Sequence, residues 1–427
     1  MSNLPIFFVT LLLYVLCARL SLSLSTGRSG ARLFAFGNIA AFAWLSLLTR
    51  YDPWLETTIL DLGASAIARH IFLILCYVGL VAIGYGLMRA FAAREGGLPW
   101  LAFFYPIAIL IAVRYLYGFW NSLIERLDWD SWVITAALVG LSYMAFRLSR
   151  LVLEVRNRTV EMPSLSEYLG FAFFLPTLLV GPINSYANHQ NSVRSITETR
   201  VPVGRCLFRI LIGATKFLYL ANLANQLSYT GIFLDGKPHA LIDLAVAVVF
   251  YFLYLYCNFS GICDIAIGVA GLVGIRVSEN FDNPLAARNV KEFWNRWHIT
   301  LSDYAKEIVF APLSKFLVIK LGAKYTNASI AIAVTTVFLV IGVWHGVGWR
   351  FAIFGLVHAA AVVANHYYTV WMKKALGKER FKRYNDNLLI NTAAKGLTFA
   401  YVAASFAIFA NDRNMLGIIK NALRSQL

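Results

Sequence analysis

The sequence predicts an all-α polytopic membrane protein, from its apolar composition, its scarcity of charge and its succession of long apolar runs. Of 427 residues, 59% are hydrophobic and 14% are charged, whereas soluble chains carry about 25% charged residues. A helix needs about 20 apolar residues to cross about 30 Å of hydrocarbon. Candidate spans lie near residues 4–18, 33–48, 70–93, 100–119, 131–148, 206–228, 240–257, 329–345, 351–371 and 392–410.

Two further apolar segments are shorter or interrupted by Pro and Gly, and we interpret them as re-entrant. They cover residues 165–183 and 262–275, which brings the expected total to about 10–12 membrane segments. The first apolar run lacks a basic n-region and a cleavage site, so we expect a retained helix. We expect one integral-membrane domain over 1–427, with N-terminal helices in 1–160 and a motif-bearing core in 165–427.

The net charge of +16 is distributed in short clusters between apolar runs. Nucleic-acid binding would require a continuous basic face, so we exclude it. Positively charged loops stay on the cytoplasmic side. The alternation therefore predicts an extracytoplasmic N-terminus and cytoplasmic basic clusters at 276–324 and 373–383. The alternating loops contain Arg19, Arg28 and Arg32, then Asp52, Glu56 and Asp61, then Arg89 and Arg94, then Glu125, Asp128 and Asp130, then Arg147, Arg150, Arg156 and Arg158.

His298 lies in the run FWNRWHITLSDY. Apolar residues recur with helical spacing from 290 to 305, which predicts one amphipathic helix with His298, Trp294 and Trp297 on its buried face. Glu292 and Arg296 form an expected i,i+4 ion pair on the polar face. Because histidine titrates near neutral pH, His298 is a candidate for proton chemistry. The alternative is a histidine that only packs among tryptophans.

His345 follows a long apolar run, in the sequence Trp344-His345-Gly346. The glycine favours a helix end where backbone or ligand can approach closely. We therefore expect His345 beside a cavity, although an interfacial belt of Trp and His would give the same pattern. His358 and His366 lack acidic or cysteine partners at ligand spacing, so we expect no metal site.

Polar residues also interrupt the apolar run NFSGICDIAIG, which contains Asn258, Ser260 and Asp264. A carboxylate in such surroundings must face a wet cavity or a partner. Asp264 is therefore a site candidate, or else a structural anchor for Arg209 or Lys216. The five cysteines show no metal spacing, and we expect them to pack in the core.

An ordered set of motifs is similar to the bacterial membrane-bound O-acyltransferases. These motifs are FLPTLLVGPINSY, NFSGICDIAIGVAGLVGIRVSENFDNP, EFWNRWHITLSDY and VWHGVGWRFAIFGLVHA. The resemblance covers about residues 165–427. It points to the branches that O-acetylate alginate and related exopolysaccharides or carry D-alanine to teichoic acids.

The resemblance implies a ring of tilted helices around a central funnel, in a bacterial cytoplasmic membrane. His345 and His298 match the catalytic histidines of the family. The resemblance also implies an acyl thioester donor, acetyl-CoA or a carrier protein, and no bound cofactor. Its acceptor is a hydroxyl of an extracytoplasmic polysaccharide or of a partner acyltransferase, and membrane lipid surrounds the protein. The candidate tunnel-lining residues are Asn258, Ser260, Asp264, Trp294, Trp297, Trp344 and Gly346.

A neutral imidazole in an apolar pocket can remove the proton of an attacking hydroxyl. We assign this role to His345, with His298, a tryptophan N–H or the backbone near Gly346 as donors to the oxyanion. A transiently acylated His345 is the alternative. The predicted function is acyl transfer, with acetyl favoured, to an envelope carbohydrate. D-alanylation of teichoic acid, acylation of a lipid or protein, and a proton-coupled transporter or flippase remain alternatives; a transporter predicts an internal repeat, which the sequence lacks.

Overall fold

The structure is a computed structural model that describes residues 4–24, 28–48, 64–115, 140–198, 201–235, 237–346, 348–411 and 413–424. Every regular element in these ranges is helical, and one isolated antiparallel bridge joins Phe281 and Trp297. This confirms the predicted all-α class. The chain forms two compact units, one of residues 1–211 and 264–278, the other of residues 212–263 and 279–427.

The described part of the first unit is built from helices that pack on one another. Its helices are α1 (Leu4–Leu24), α2 (Arg28–Leu48), α3 (Ala64–Phe91), α4 (Leu98–Tyr115), α5 (Leu141–Arg156), α6 (Leu165–Ala172), α7 (Tyr186–Arg194) and α8 (Val203–Ala214). Helix α1 packs on α2, and α4 packs on α5. A capping box starts α6, because Ser164 Oγ accepts from the Glu167 N–H and Glu167 accepts from the Ser164 N–H.

The second unit contains the remaining helices, and α8 and α11 contribute residues to both units. These helices are α9 (Ala221–Gln226), α10 (Tyr229–Ile232), α11 (Leu241–Val273), α12 (Val290–Arg296), α13 (Ile299–Ala305), α14 (Ala311–Leu321), α15 (Thr326–His345), α16 (Trp349–Asp386), α17 (Leu388–Ala410) and α18 (Arg413–Arg424). Helices α15 and α16 approach closely. A Cβ on Gly342 would overlap the Phe351 carbonyl, and one on Gly355 would overlap the Phe338 carbonyl.

Six helical segments in the described ranges are long and apolar enough to cross a membrane. They are His70–Phe91, Val203–Gln226, Leu241–Val273, Ala323–His345, Trp349–Asp386 and Leu388–Ala410, and two shorter apolar segments are Val9–Ser23 and Leu98–Val113. The chain is therefore a multi-pass membrane protein. The expected total of 10–12 segments and the ring arrangement stay predictions.

Two predicted element boundaries are wrong. The segment 262–275 is not a separate re-entrant piece, because α11 continues without interruption to Val273. Its Gly residues are tolerated because packing in the membrane requires small side chains there. Helix α16 extends well beyond the apolar run 351–371 and through the basic cluster 373–383, with a break at Gly377, whose φ is 70°. Segment 165–183 is short and broken, as expected.

Several sequence predictions lie outside the described residues. These are the acidic loops with Asp52, Glu56, Asp61, Glu125, Asp128 and Asp130, and the first part of the apolar run 131–148. The division into N-terminal helices and a motif-bearing core, the extracytoplasmic N-terminus and the cytoplasmic basic clusters also stay predictions.

Candidate active site

The segment that carries His298 is two short helices, so the predicted continuous helix over 290–305 is wrong. Helix α12 ends at Arg296, Trp297 is extended, and α13 begins at Ile299. His298 itself has φ 46° and ψ 52°. This left-handed conformation costs a non-glycine residue roughly 1 kcal/mol, so surrounding contacts must hold it.

Those contacts come from the preceding segment 280–282, whose backbone forms hydrogen bonds to residues on both sides of the break between α12 and α13. The Asp282 N–H donates to the Arg296 carbonyl at 3.0 Å, and the Ile299 N–H donates to the Asn280 carbonyl at 3.0 Å. Backbone groups that a continuous helix would satisfy internally are therefore satisfied across the break. Helical periodicity cannot reveal such pairing, which explains the error.

Asn280 also holds the imidazole of His298. Both side chains are buried, and Asn280 Oδ1 lies 3.1 Å from His298 Nδ1. The same oxygen accepts from the Thr300 N–H at 3.2 Å and the Thr300 hydroxyl at 2.9 Å. Because a backbone N–H can only donate, the oxygen end of the amide must face this cluster. His298 Nδ1 therefore carries the proton and donates to Asn280.

The other ring nitrogen of His298, Nε2, consequently carries a lone pair and no proton. His298 Nε2 is buried and has no hydrogen-bond partner among the described residues. Burial, and secondly the nearby imidazole of His345, lower the pKa of His298 to about 3. His298 is thus neutral near pH 7, with an acceptor at Nε2.

His345 is the last residue of α15 and is half-buried. Its ring centroid lies 4.6 Å from that of Trp344 and 5.1 Å from that of Phe409. The Trp344 ring also lies 6.5 Å from the His298 ring. The structure therefore brings His298, Trp344 and His345 together, as the motifs predict.

Gly346 ends α15 in an extended conformation, and its N–H donates to the Val343 carbonyl at 3.2 Å. That N–H is therefore engaged in the last turn of the helix. A Cβ at this position would overlap the Phe351 ring. The glycine is therefore required for close approach of the helix end to α16.

Trp294 is fixed by a histidine whose role the sequence analysis did not identify. The Trp294 indole N–H donates to His358 Nδ1 at 3.1 Å. Since Nδ1 accepts, His358 carries its proton on Nε2, which lies 2.9 Å from Ser405 Oγ. The Ser405 hydroxyl donates onward to the Val402 carbonyl. Both nitrogens of the buried His358 are used, so this residue positions Trp294 and offers no lone pair.

Trp297 lies in an aromatic cluster that supports the histidine pair. The Trp297 ring stacks on Phe293 with centroids 5.4 Å apart, and it contacts Phe281 edge to face at 5.1 Å. The neighbouring Phe259 meets the His298 ring at 4.7 Å. These apolar rings exclude water from His298 and explain its lowered pKa.

The remaining candidates occupy α11. Asn258 is half-buried, and Ser260 is buried with a hydroxyl that has no hydrogen-bond partner among the described residues. Asp264 belongs to the first unit and accepts from Arg209 Nε at 3.1 Å and Nη2 at 3.0 Å. Asp264 is therefore an anchor for Arg209, which the sequence analysis held as one alternative.

The fold and site thus define a multi-pass, all-helical membrane protein with a sheltered histidine pair. The sequence profile of the MBOAT, membrane-bound O-acyltransferase family matches residues 3–386. The chain belongs to the membrane-bound O-acyltransferase family and is an acyltransferase. The match includes the N-terminal helices, which the motif resemblance over 165–427 did not.

Similar proteins share this class. A teichoic acid D-alanyltransferase of Streptococcus thermophilus is 32% identical over 66% of this chain and 70% of its own length. A peptidoglycan O-acetyltransferase of Helicobacter pylori is 34% identical over 50% of this chain and 40% of its own. A protein of Azotobacter vinelandii named "Probable alginate O-acetylase" is 26% identical over 56% of this chain and 46% of its own.

Proposed function

We propose that this enzyme transfers an acetyl group from a cytoplasmic thioester to a hydroxyl of an extracytoplasmic polysaccharide or of a partner acyltransferase. The observation that carries the proposal is the lone pair at His298 Nε2, held beside His345 in an apolar pocket. Acyl transfer to a hydroxyl needs such a group, because the proton must leave as the new C–O bond forms. Relatives that act on peptidoglycan and alginate support an acetyl group and an envelope acceptor.

The proposed reaction balances within this site. The acceptor oxygen attacks the thioester carbonyl, and the hydroxyl proton passes to an imidazole. The carbonyl then re-forms as the C–S bond breaks, and the thiolate leaving group takes the proton back from the imidazolium. The general base belongs to the histidine pair, with His345 assigned by its motif. Since the hydroxyl carries a single proton, the lone pair at His298 Nε2 is the alternative acceptor for it within the same pair.

The tautomer of His298 limits its other possible role. In the neutral form Nε2 carries no proton, so it cannot donate to the oxyanion. The Trp294 indole N–H is also engaged, by His358. We therefore propose the Trp344 indole, whose ring lies 4.6 Å from that of His345, as the oxyanion donor.

A second candidate is D-alanyl transfer to teichoic acid. It is favoured by the D-alanyltransferases of Streptococcus thermophilus and Bacillus subtilis, which match this chain over 66% and 64% of its length. Both candidates use the same chemistry at the histidine pair. They differ in the thioester that delivers the acyl group.

The test is transfer by the purified full chain in proteoliposomes. Labelled acetyl-CoA and a D-alanyl carrier thioester are supplied separately, and label is followed into polysaccharide or teichoic acid. His345→Ala should lose about 10²-fold or more in rate, the usual contribution of a general base. His366→Gln is the matched control, since His366 bonds to Asn327 on α15 and lies outside the pair. Normal transfer by a stably folded His345→Ala variant would reject the site.

A further inference from the structure

A basic cleft lies in the first unit, whereas the histidine pair belongs to the second. The cleft encloses about 440 Å³ between α7, α8 and the end of α11. Three arginines and two serines line it: Arg205, Arg209, Arg276, Ser192 and Ser195. So many hydrogen-bond donors beside a membrane-spanning helix need an explanation in addition to the preference of basic residues for the cytoplasmic side.

The cleft exists because α8 and α11 are in unusually close contact beside it. A Cβ on Gly271 would lie 2.7 Å from Cys206 Sγ, and one on Gly268 would lie 2.9 Å from the Cys206 carbonyl. No larger residue fits at either position. Because Gly268 and Gly271 have no side chains, the backbone of α11 forms the base of the cleft, and the longer side chains surround it.

The charges of the cleft are not balanced within it. Arg209 is paired with Asp264. Arg205 and Arg276 are exposed and form no ion pair with any described residue. No acidic side chain from the described ranges lines the cleft. Two positive charges therefore remain for a ligand.

Arg276 is held by its backbone, which leaves its guanidinium for a ligand. Its N–H donates to Ser192 Oγ at 3.0 Å, and its carbonyl accepts from Asn184 Nδ2 at 3.2 Å. The Ser192 hydroxyl donates to the Asn188 carbonyl at 2.8 Å. The loop after α11 is thus fixed against α7, so the position of the arginine is preorganised.

The outer flank of the cleft is apolar. Phe208 on α8 is 63% exposed and lies one turn beyond Arg205, whereas Leu207 and Leu211, 53% and 63% exposed, lie on the opposite face of α8. Helix α8 begins the candidate span Val203–Gln226, so this flank lies where headgroups give way to acyl chains. Basic pockets between membrane helices bind phosphate headgroups.

We propose that the cleft binds the phosphate of an anionic phospholipid, with an acyl chain against Phe208. Arg205 and Arg276 contact the phosphate, and Arg209 is oriented by Asp264 at the rear. The apolar flank favours a lipid over a soluble phosphate compound, which would leave that side chain uncovered.

The test uses the intact purified chain in detergent. Native mass spectrometry compares retention of phosphatidylglycerol and phosphatidylcholine supplied together. Wild type should retain phosphatidylglycerol about tenfold better, consistent with two arginine contacts. R205Q/R276Q should abolish this preference. R380Q/R383Q, which removes two exposed arginines from α16, is the matched control and should keep it.

Each other outcome overturns the proposal. Equal retention of the two lipids by wild type, or an unchanged preference in R205Q/R276Q, would show that the cleft does not select the headgroup. Equal loss in R380Q/R383Q would show an effect of net charge alone. Displacement of phosphatidylglycerol by inorganic phosphate or coenzyme A at equal concentration would assign the cleft to a soluble phosphate. If R205Q/R276Q does not fold, the single variants R205Q and R276Q replace it, and an unchanged lipid preference in both would overturn the proposal.

Discussion

The Asn280 side-chain oxygen accepts a hydrogen bond from His298 Nδ1 at 3.1 Å and thereby selects the tautomer of that histidine. The Thr300 backbone N–H binds the same oxygen and fixes which end of the amide faces the ring. Second ring partners of this kind orient catalytic histidines and maintain their basicity. The lone pair at His298 Nε2 thus depends on a residue 18 positions earlier in the chain.

Replacing Asn280 should change the pH dependence as well as the rate of transfer. Asn280→Leu removes the acceptor, so the tautomer is no longer fixed and the rate should fall about 10²-fold. Asn280→Asp keeps an acceptor and adds negative charge, which raises the pKa of His298 from about 3. The acid limb of its rate profile should therefore move to higher pH.

Thr300→Val is the control for this comparison. It removes one hydroxyl donor to Asn280 and leaves the His298 contact in place. The rate–pH profile of acetyl transfer is measured for all three variants. If Asn280→Asp lowers expression but leaves the profile of the folded fraction unchanged, Asn280 has a structural role only.

Part of this site could be predicted from the sequence. The motifs around His298 and His345 identify the pair, because polar residues in apolar runs are rare and require a reason. Arg209 was correctly offered as a partner of Asp264 for the same reason. Asn280 was missed, since nothing in the run ENFDNP distinguishes a buried amide from a turn residue. The break at Trp297 and His298 depends on pairing with residues 280–282, which local periodicity does not contain.

Gly346→Ala should weaken the site through a steric clash alone. The extended backbone at Gly346 accepts any residue, but the new Cβ would overlap the Phe351 ring. Overpacking of this kind costs about 1–3 kcal/mol, and it would displace His345, the adjacent residue. We expect lower thermal stability and lower transfer, measured by an unfolding scan and by the acetyl-transfer rate.

A second substitution makes this prediction specific. Phe351→Leu removes the ring, so Gly346→Ala/Phe351→Leu should recover much of the loss. Gly348→Ala is the matched control, because a Cβ there would be at least 3.7 Å from its neighbours. The idea fails if Gly348→Ala is as damaging as Gly346→Ala, or if the double variant recovers nothing.

His189 should make the protein sensitive to acid. It is buried among Phe34, Phe171 and Phe174, and burial, followed by the charge of Arg147, lowers its pKa to about 3. In the unfolded chain it titrates near 6.5, so between pH 6.5 and 3 the unfolded state binds more protons. Stability is thus full above about 6.5 and falls as pH decreases, by up to about 1.4 kcal/mol per pH unit for this group.

Thermal unfolding of wild type at pH 7 and pH 5 should show this loss, to which the buried His298 also contributes. His189→Phe keeps an aromatic ring and removes the titrating group, so its melting temperature should fall less over the same interval. His366→Gln, at a less buried histidine, should change the pH dependence less than His189→Phe does. Equal pH dependence in His189→Phe would refute the assignment.

Lys291 is expected to attract the anionic thioester donor. Among the neighbouring basic residues of the cluster 276–324, Arg288 and Arg296 pair with Glu292, and Lys306 pairs with Asp303. Lys291 is exposed and forms no ion pair with any described residue. An unpaired surface charge acts over about 10 Å at moderate salt and can raise the encounter rate of an anion.

Lys291→Gln should therefore raise the KM for acetyl-CoA several-fold at low ionic strength, and the difference from wild type should vanish at high ionic strength. Asp303→Asn/Lys306→Gln removes an ion pair without changing net charge, so it should leave the KM unaltered. A KM for acetyl-CoA that is insensitive to salt and unchanged by Lys291→Gln would mean that these charges set membrane topology alone.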